Sequence, residues 1–390
     1  MDFPIEEVFA AYYEARHHKR STTSQLAFEL NLEENLVALW RELNDRTYVV
    51  GTSICFMIED TVAREVFAAE FRDRVVHHLL YNRLSPFFER RFICDSYSCR
   101  QGKGTLYGIK RLEHHIRSCS RNYSQSCYVL KLDIRGYFMH ISRSRLLDII
   151  ESSLPDDFPQ RDSLIWLCRL IVECEPVVNC RVKGSLSTWK KLPYDKSLFH
   201  SSPDCGIPIG NLTSQLFSNI YLNVFDQWIK RGCGMKHYGR YVDDFYIVHR
   251  DKSVLLALIP KIRDFLRSRL GLELHPKKIY LQEVSKGVRF LGAVVYPYHT
   301  MPSSRVLCKV RRKYSLMERG FYAPETMRTT INSYLGLFRH FCAVKAVKQL
   351  IAGHVLPFRH GYYLQVRQSF VYKLNQGAIS KKRKNLVSLF

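Results

Sequence analysis

Apolar residues recur at helical spacing from the start of the chain to about Thr47: Ile5, Val8, Phe9, Tyr12 and Tyr13 form one stripe, and Phe28 to Trp40 continue it. Residues 48–58 are β-branched and aromatic enough for a strand. Residues 71–84 return to the helical period, with Val75, Val76, Leu79, Leu80 and Leu84 on one face, until Ser85-Pro86 should end it. A glycine-rich basic loop at 101–105 precedes another helix reaching about Arg117, and residues 128–132 read as a strand leading straight into Asp133. Residues 156–158 and 183–203, the latter rich in Ser, Lys and Pro, read as loops. After Gly206, Asn211 stands where a helix cap is expected, ahead of apolar positions Leu216, Phe217, Ile220, Tyr221, Val224, Phe225 and Trp228. Two short apolar runs, 235–240 and 245–249, then bracket Tyr241-Val242-Asp243-Asp244. A helix over 254–270 and short strands near 278–282 and 288–295 follow. From Pro324 the pattern is helical, including a face of Ile331, Tyr334, Leu335 and Phe338. Residues 380–390, with Lys381-Lys382-Arg383-Lys384, read as a mobile basic tail. No internal repeat is visible.

Charge changes the picture more than composition does. Across 390 residues, 59 Lys and Arg face 36 Asp and Glu, a formal net charge of +23 that favours a polyanionic partner. The 23 Tyr and 23 Phe add surfaces on which bases can stack, as well as ordinary core. The longest greasy stretch, 164–172, is broken by Arg169 and is too short to span a bilayer, and the first ten residues lack a secretory pattern. The expectation is a cytoplasmic protein with no membrane association. Twelve cysteines are scattered without a C-x-x-C pair, which predicts buried free thiols rather than zinc ligands or disulfides.

The acidic turn is the sharpest chemical signal. Adjacent carboxylates repel, and a turn needs no such pair. They become sensible beside a divalent cation, because Mg²⁺ takes one or two carboxylates together with substrate phosphate oxygens. Phosphoryl transfer to a growing chain uses two such ions roughly 3.5–4 Å apart, so a further carboxylate must come from elsewhere. Asp133, closing a strand of alternating apolar residues in Leu130-Lys131-Leu132-Asp133-Ile134-Arg135-Gly136-Tyr137-Phe138, is the candidate.

The order of Asp133, a helix, then an Asp243-Asp244 hairpin resembles motifs A, B and C of the reverse transcriptase palm. Arg72-Asp73-Arg74-Val75-Val76 is similar to that family's first fingers motif, and Leu274-His275-Pro276-Lys277-Lys278 with Phe290-Leu291-Gly292 to motifs D and E. Most members carry a glutamine before the motif B glycine. Here Gly206-Ile207-Pro208-Ile209-Gly210-Asn211-Leu212-Thr213-Ser214-Gln215 places Ile209 there and Gln215 where proline is usual. That variant resembles the reverse transcriptases of diversity-generating retroelements. Retron, abortive-infection and group II intron enzymes share the palm and usually not the Ile209 pattern.

The resemblance implies an α+β right-hand polymerase: an N-terminal helical extension over 1–47, fingers with part of the palm over 48–127, a palm with motifs A to E over 128–300, a helical thumb over 301–379 and the basic tail. It implies two Mg²⁺ ions, replaceable by Mn²⁺, held by Asp133, Asp243, the Ile134 carbonyl and, as an outer ligand, Asp244. It places Phe138 as a steric gate under the sugar and Ile209 and Gly210 at the nucleotide. Arg64 and Arg72 fall at the triphosphate, with Arg74 in a structural ion pair, and Tyr241 and Gln215 at nucleic acid. Lys278 falls where a lysine protonates the leaving pyrophosphate, with Lys277 as the alternative. The implied function is error-prone cDNA synthesis from a template-repeat RNA for mutagenic retrohoming. Its partners are template RNA, the RNA/DNA hybrid, dNTPs and a small basic oligomeric accessory protein. The alternative is a general-fidelity bacterial reverse transcriptase of the retron, abortive-infection or group II intron type.

Overall fold

The computed structural model describes residues 2–17, 22–59, 63–354 and 360–375; the expected tail at 380–390 lies outside them. The opening helices form as the apolar spacing predicts, as α1 (Ile5–Arg16), α2 (Thr23–Glu29) and α3 (Leu32–Asn44), and bury Val8, Tyr12, Phe28, Leu36 and Leu39. The strand expected from 48 begins only at Ser53, as β1 (Ser53–Glu59), paired antiparallel with β2 (Ala63–Ala68). The delay has a cause in α4 (Phe71–Glu89). Its buried Asp73 accepts from the Tyr48 hydroxyl at 2.8 Å and the Gly51 N–H at 3.0 Å, which holds 48–51 as a loop.

α4 also corrects an expectation, because it runs through Pro86 instead of stopping there. A proline inside a helix costs about 3 kcal/mol, but Leu84 and Phe88 are both buried and anchor the last turn on either side of it. The chain continues as α5 (Thr105–Cys119), β3 (Tyr128–Asp133), α6 (Arg143–Ser153), α7 (Arg161–Glu173), β4 (Cys180–Lys183), α8 (Leu212–Gln227), β5 (Tyr238–Tyr241), β6 (Asp244–His249), α9 (Lys252–Leu270) and β7 (Tyr280–Glu283). Two sheets organise this part. β5-β6-β3-β7 form one, and β2-β1-β4 the other, with β4 parallel to β1.

Two compact units result, one from residues 1–108 and 130–281, the other from 109–129 and 282–390. The second contains β8 (Val288–Phe290), β9 (Ala293–Tyr296), β10 (His299–Pro302), α10 (Ser304–Glu318), α11 (Pro324–Phe338), α12 (Val344–Ala352), β11 (Gly361–Val366) and β12 (Ser369–Leu374). Its limits differ from the sequence expectation because residues 109–129 find partners there. The Val284 N–H donates to the Cys127 carbonyl at 3.0 Å, and the Tyr123 and Tyr298 rings lie 4.4 Å apart. The expected all-helical region is also mixed, since β11 and β12 form a hairpin whose Tyr372 joins the core. Ile331, Leu335 and Phe338 of α11 are buried in that core with Met317, Met327 and Leu350, so this face is packing surface. No disulfide joins the twelve cysteines, and the expected burial holds for only some: Cys55, Cys119, Cys127 and Cys168 are buried, whereas Cys94, Cys99, Cys308 and Cys342 are exposed.

In the first unit the β5–β6 hairpin hangs on a buried ion pair. Arg240 is 0% exposed, and its guanidinium grips Asp226 of α8 through Nε (2.8 Å) and Nη2 (2.7 Å). The Tyr238 hydroxyl donates to the same carboxylate at 2.5 Å, and Arg240 Nη2 also reaches Ser96 Oγ at 3.2 Å. Asp226→Ala would leave the guanidinium charge buried without its partner, and should lower stability by about 3–5 kcal/mol. Arg240→Met with Asp226→Leu should recover a large part of that loss. Urea denaturation checks both, and a single-variant loss near zero would show that the pair does not hold the hairpin.

Candidate active site

The acidic turn is a two-residue hairpin loop. Tyr241 pairs with Asp244, leaving Val242 and Asp243 at the tip. Val242 has φ of +56°, in a position where tight hairpins normally take glycine, and a β-branched residue there is an outlier. Two hydrogen bonds fix the strained tip. The Val242 carbonyl accepts from Arg240 Nη1 at 2.9 Å, and the Asp243 carbonyl accepts from the Ile134 N–H at 3.3 Å. The second bond ties the tip directly to the end of β3, beside Asp133. This backbone contact sets the Asp133 end of β3 beside the hairpin tip.

A third strand of chain completes the arrangement. Residues 273–278 run along 133–135 through Arg135 N–H to Glu273 carbonyl (2.9 Å) and His275 N–H to Asp133 carbonyl (2.8 Å). This delivers Lys278, whose ammonium lies 2.9 Å from Asp133 Oδ1. Lys131 and Asp133 are two apart on β3, so they share a face. The Lys131 ammonium meets Asp244 Oδ2 at 2.9 Å.

Burial pushes the Asp243 carboxyl up to about 6, and the neighbouring Asp133 and Asp244 charges add to the shift. Burial also raises Asp244, against the pull of Lys131. The cluster is therefore short of positive charge, and a divalent cation would relieve it. Among the described residues no group of three or more His, Cys, Asp or Glu is gathered to hold a metal ion. Two carboxylates from Asp133 and Asp243 with the Ile134 carbonyl are nonetheless a suitable set for Mg²⁺, which draws its remaining ligands from substrate and water. The Asp244 carboxylate is already engaged by Lys131.

Phe138 and Ile209 are brought together. Phe138 lies in a 3-10 turn, Tyr137–His140, directly after Gly136. Both side chains pack against one buried cluster of Cys55, Phe67, Met139 and Leu198. The backbone stitches the same two segments, with Ile207 N–H to Phe138 carbonyl at 3.0 Å and Gly206 N–H to Ile141 carbonyl at 2.8 Å. Gly210 is demanded by close approach. It has φ of +134°, and a Cβ would stand 2.6 Å from the Phe67 carbonyl oxygen of β2. Asn211 precedes α8 as expected, but its side chain accepts from the Ala69 N–H at 3.3 Å and makes no bond to the helix start.

Arg64, Arg72 and Arg74 have three different settings. Arg64 is exposed on β2. Arg72 is shared by the Glu42 carboxylate, the Val49 carbonyl and the Tyr48 ring, which makes it a latch between α3 and α4. Arg74 forms its bond to the Ala69 carbonyl (2.9 Å) in place of the expected ion pair. Gln215 is exposed on the first turns of α8, and Tyr241 is half-buried at the end of β5. Sequence reasoning missed Arg240, Asp226 and Lys131. Lys131 was findable, since strand alternation alone puts it on the Asp133 face. The Arg240–Asp226 pairing carried no local signal, because the partners sit on different elements.

Residues 63–295 match the family described as reverse transcriptase (RNA-dependent DNA polymerase). Among curated proteins, the chain is 24% identical over 253 residues to Protein YkfC of Escherichia coli (strain K12), covering 57% of this chain and 60% of that protein. Similar solved structures include apo telomerase from Candida tropicalis truncated from its C-terminal domain. There identity is 13%, coverage 68% of this chain and 60% of that one, and the TM-score 0.47. Another is telomerase from Candida albicans with a fragment of telomeric RNA, at 10% identity, 78% and 55% coverage, and a TM-score of 0.45. With the family match extending over more than half of its length and enclosing Asp133, Ile209 and the Asp243-Asp244 turn, the chain belongs to the reverse transcriptase family.

Proposed function

We propose that this chain is an RNA-directed DNA polymerase, and that it makes error-prone cDNA from a template-repeat RNA in a diversity-generating retroelement. The polymerase reading is carried by one observation: the strained Val242-Asp243 tip is hydrogen-bonded to the end of the strand that bears Asp133. Asp133 and Asp243, with the Ile134 carbonyl, would hold two divalent cations, Mg²⁺ or Mn²⁺. When bound, these supply the charge that stabilises the attacking and leaving oxygens. Lys278, whose ammonium lies at the Asp133 carboxylate, would give a proton to the departing pyrophosphate. Arg64 is the better candidate for the triphosphate, because Arg72 would first have to leave Glu42 and Tyr48.

The finer reading rests on Ile209. Its apolar side chain packs against the same cluster as Phe138 and would offer the incoming nucleotide shape without a polar contact. A lost polar contact worth about 1.4 kcal/mol is roughly tenfold in discrimination. The template RNA, the growing hybrid and a small basic accessory protein are the partners this reading requires, in a cytoplasmic setting. No helix of the described residues is long and apolar enough to cross a membrane.

Asp133→Ala and Asp243→Ala should each cut primer extension on an RNA template by about 10³-fold or more, as expected for removal of preorganised charge. Circular dichroism shows whether the variants are folded, and near-wild-type extension by either folded variant would overturn the site assignment.

Phe138→Ala should raise the rNTP to dNTP ratio of kcat/KM by about tenfold, the scale at which a side-chain-sized gap changes selectivity. An unchanged ratio would reduce Phe138 to core packing.

Ile209→Gln should lower misincorporation, with extension largely retained. Sequencing cDNA made on one defined RNA by both enzymes checks this, with the accessory protein added if synthesis requires it. Equal error frequencies would favour the general-fidelity retron, abortive-infection or intron type and leave the polymerase assignment standing.

A further inference from the structure

Between β3 and the Gly206 loop the chain makes an excursion that returns to β2 at one buried acid. Glu65 is 1% exposed. Its Oε1 accepts from Trp189 Nε1 at 2.7 Å and from Ser197 Oγ at 3.0 Å, and its Oε2 accepts from the Leu198 N–H at 2.6 Å. An ionised carboxylate is acceptor-only, so both oxygens can meet these three neutral donors without a mismatch. Burying such a charge is costly unless its hydrogen bonds are made, and here the excursion itself supplies them.

What Glu65 holds is the surround of Phe138 and Ile209. On β2, Glu65 and Phe67 are two apart and share a face. Phe67 and Leu198 belong to the cluster on which Phe138 and Ile209 pack, and Trp189 packs against it too. Leu198 also approaches the glycine loop, since a Cβ on Gly206 would stand 2.5 Å from its Cδ1. The excursion is tied to the Asp133 end as well: Arg135 pairs with Asp195 at 3.1 Å, and a Cβ on Gly136 would meet the Asp195 carbonyl at 2.5 Å.

We propose that Glu65 is a positioning residue for nucleotide selection, fixing Trp189 and the Ser197-Leu198 turn so that Phe138 and Ile209 keep one spacing at the incoming sugar and base. The proposal rests on the reading of Phe138 as the sugar gate. Glu65→Gln tests it with nearly the same shape, because the amide replaces one acceptor oxygen by a donor that faces another donor. Trp189→Phe is the second variant, removing the indole N–H while keeping an aromatic ring against the cluster. Each is assayed beside Phe138→Ala for kcat and KM with dNTP and rNTP on one RNA template, after thermal melting has shown it folded.

Glu65→Gln should raise the rNTP to dNTP ratio of kcat/KM about three- to tenfold, as expected for one unmatched buried donor. The change should fall mainly on KM, with Trp189→Phe shifting the ratio in the same direction. A wild-type ratio in both folded variants, alongside a shifted ratio in Phe138→Ala, would overturn the role of Glu65 and leave the gate intact. A wild-type ratio in Phe138→Ala would remove the gate, and this inference with it. If Glu65→Gln does not fold, a wild-type ratio in Trp189→Phe alone overturns the proposal.

Discussion

The Arg240–Asp226 pair is the constraint from which the geometry of the acidic turn follows. A guanidinium buried without a partner is too costly to keep, so Arg240 must meet the Asp226 carboxylate wherever the chain folds. That requirement fixes β5 against α8. It also aims the remaining Nη1 at the Val242 carbonyl, which is how a β-branched residue is kept at a left-handed φ. Residues 95–97 join the same node, since the Arg240 N–H donates to the Asp95 carbonyl and the Arg240 carbonyl accepts from the Tyr97 N–H, each at 2.9 Å. Gly239 completes it, because a Cβ there would stand 2.3 Å from the Tyr97 hydroxyl oxygen. Strain at functional turns persists only where surroundings over-determine it, and this turn has such surroundings.

The acids at the tip are balanced differently from the anchor beneath them. Asp226 is matched by a permanent, fully buried charge, whereas Asp133 and Asp244 meet lysines whose side chains are 49% and 25% exposed. Flexible ammonium groups at a partly open site are exchangeable in a way that a bidentate buried guanidinium is not. The arrangement thus separates two tasks. Arg240 holds the shape of the turn, and Lys131 and Lys278 hold its charge through pairs that solvent can reach.

Much of this was legible in the sequence where the signal is local. Helical periodicity gave α1, α3, α8 and α9, and alternation gave β3 with Asp133 at its end. The Asp133, Ile209 and Asp243 motifs were read from short strings, and the fold brings the first and third together at the Ile134–Asp243 bond. What was missed depends on contacts distant in sequence. Burial of Leu84 and Phe88 carries α4 past Pro86, and the β11–β12 hairpin is stabilised by packing of Tyr372 into a helical core. Arg72 resembled a free phosphate ligand because Glu42, thirty residues earlier in the chain, leaves no mark near it.

Ile209 is held by its backbone and by its side chain at once. Its carbonyl accepts from the Phe67 N–H at 2.8 Å, and Gly210 beside it can only be glycine against β2. The backbone of this loop is therefore fixed by the β2-β1-β4 sheet whatever side chain stands at 209. A polar side chain there would face the apolar cluster that includes Leu198 and on which Phe138 packs, and would need a hydrogen-bond partner in it. An apolar side chain meets the cluster without that need. The same cluster sets the surroundings of Phe138, so positions 138 and 209 are coupled through one packed unit, and a change of volume at either is felt at the other.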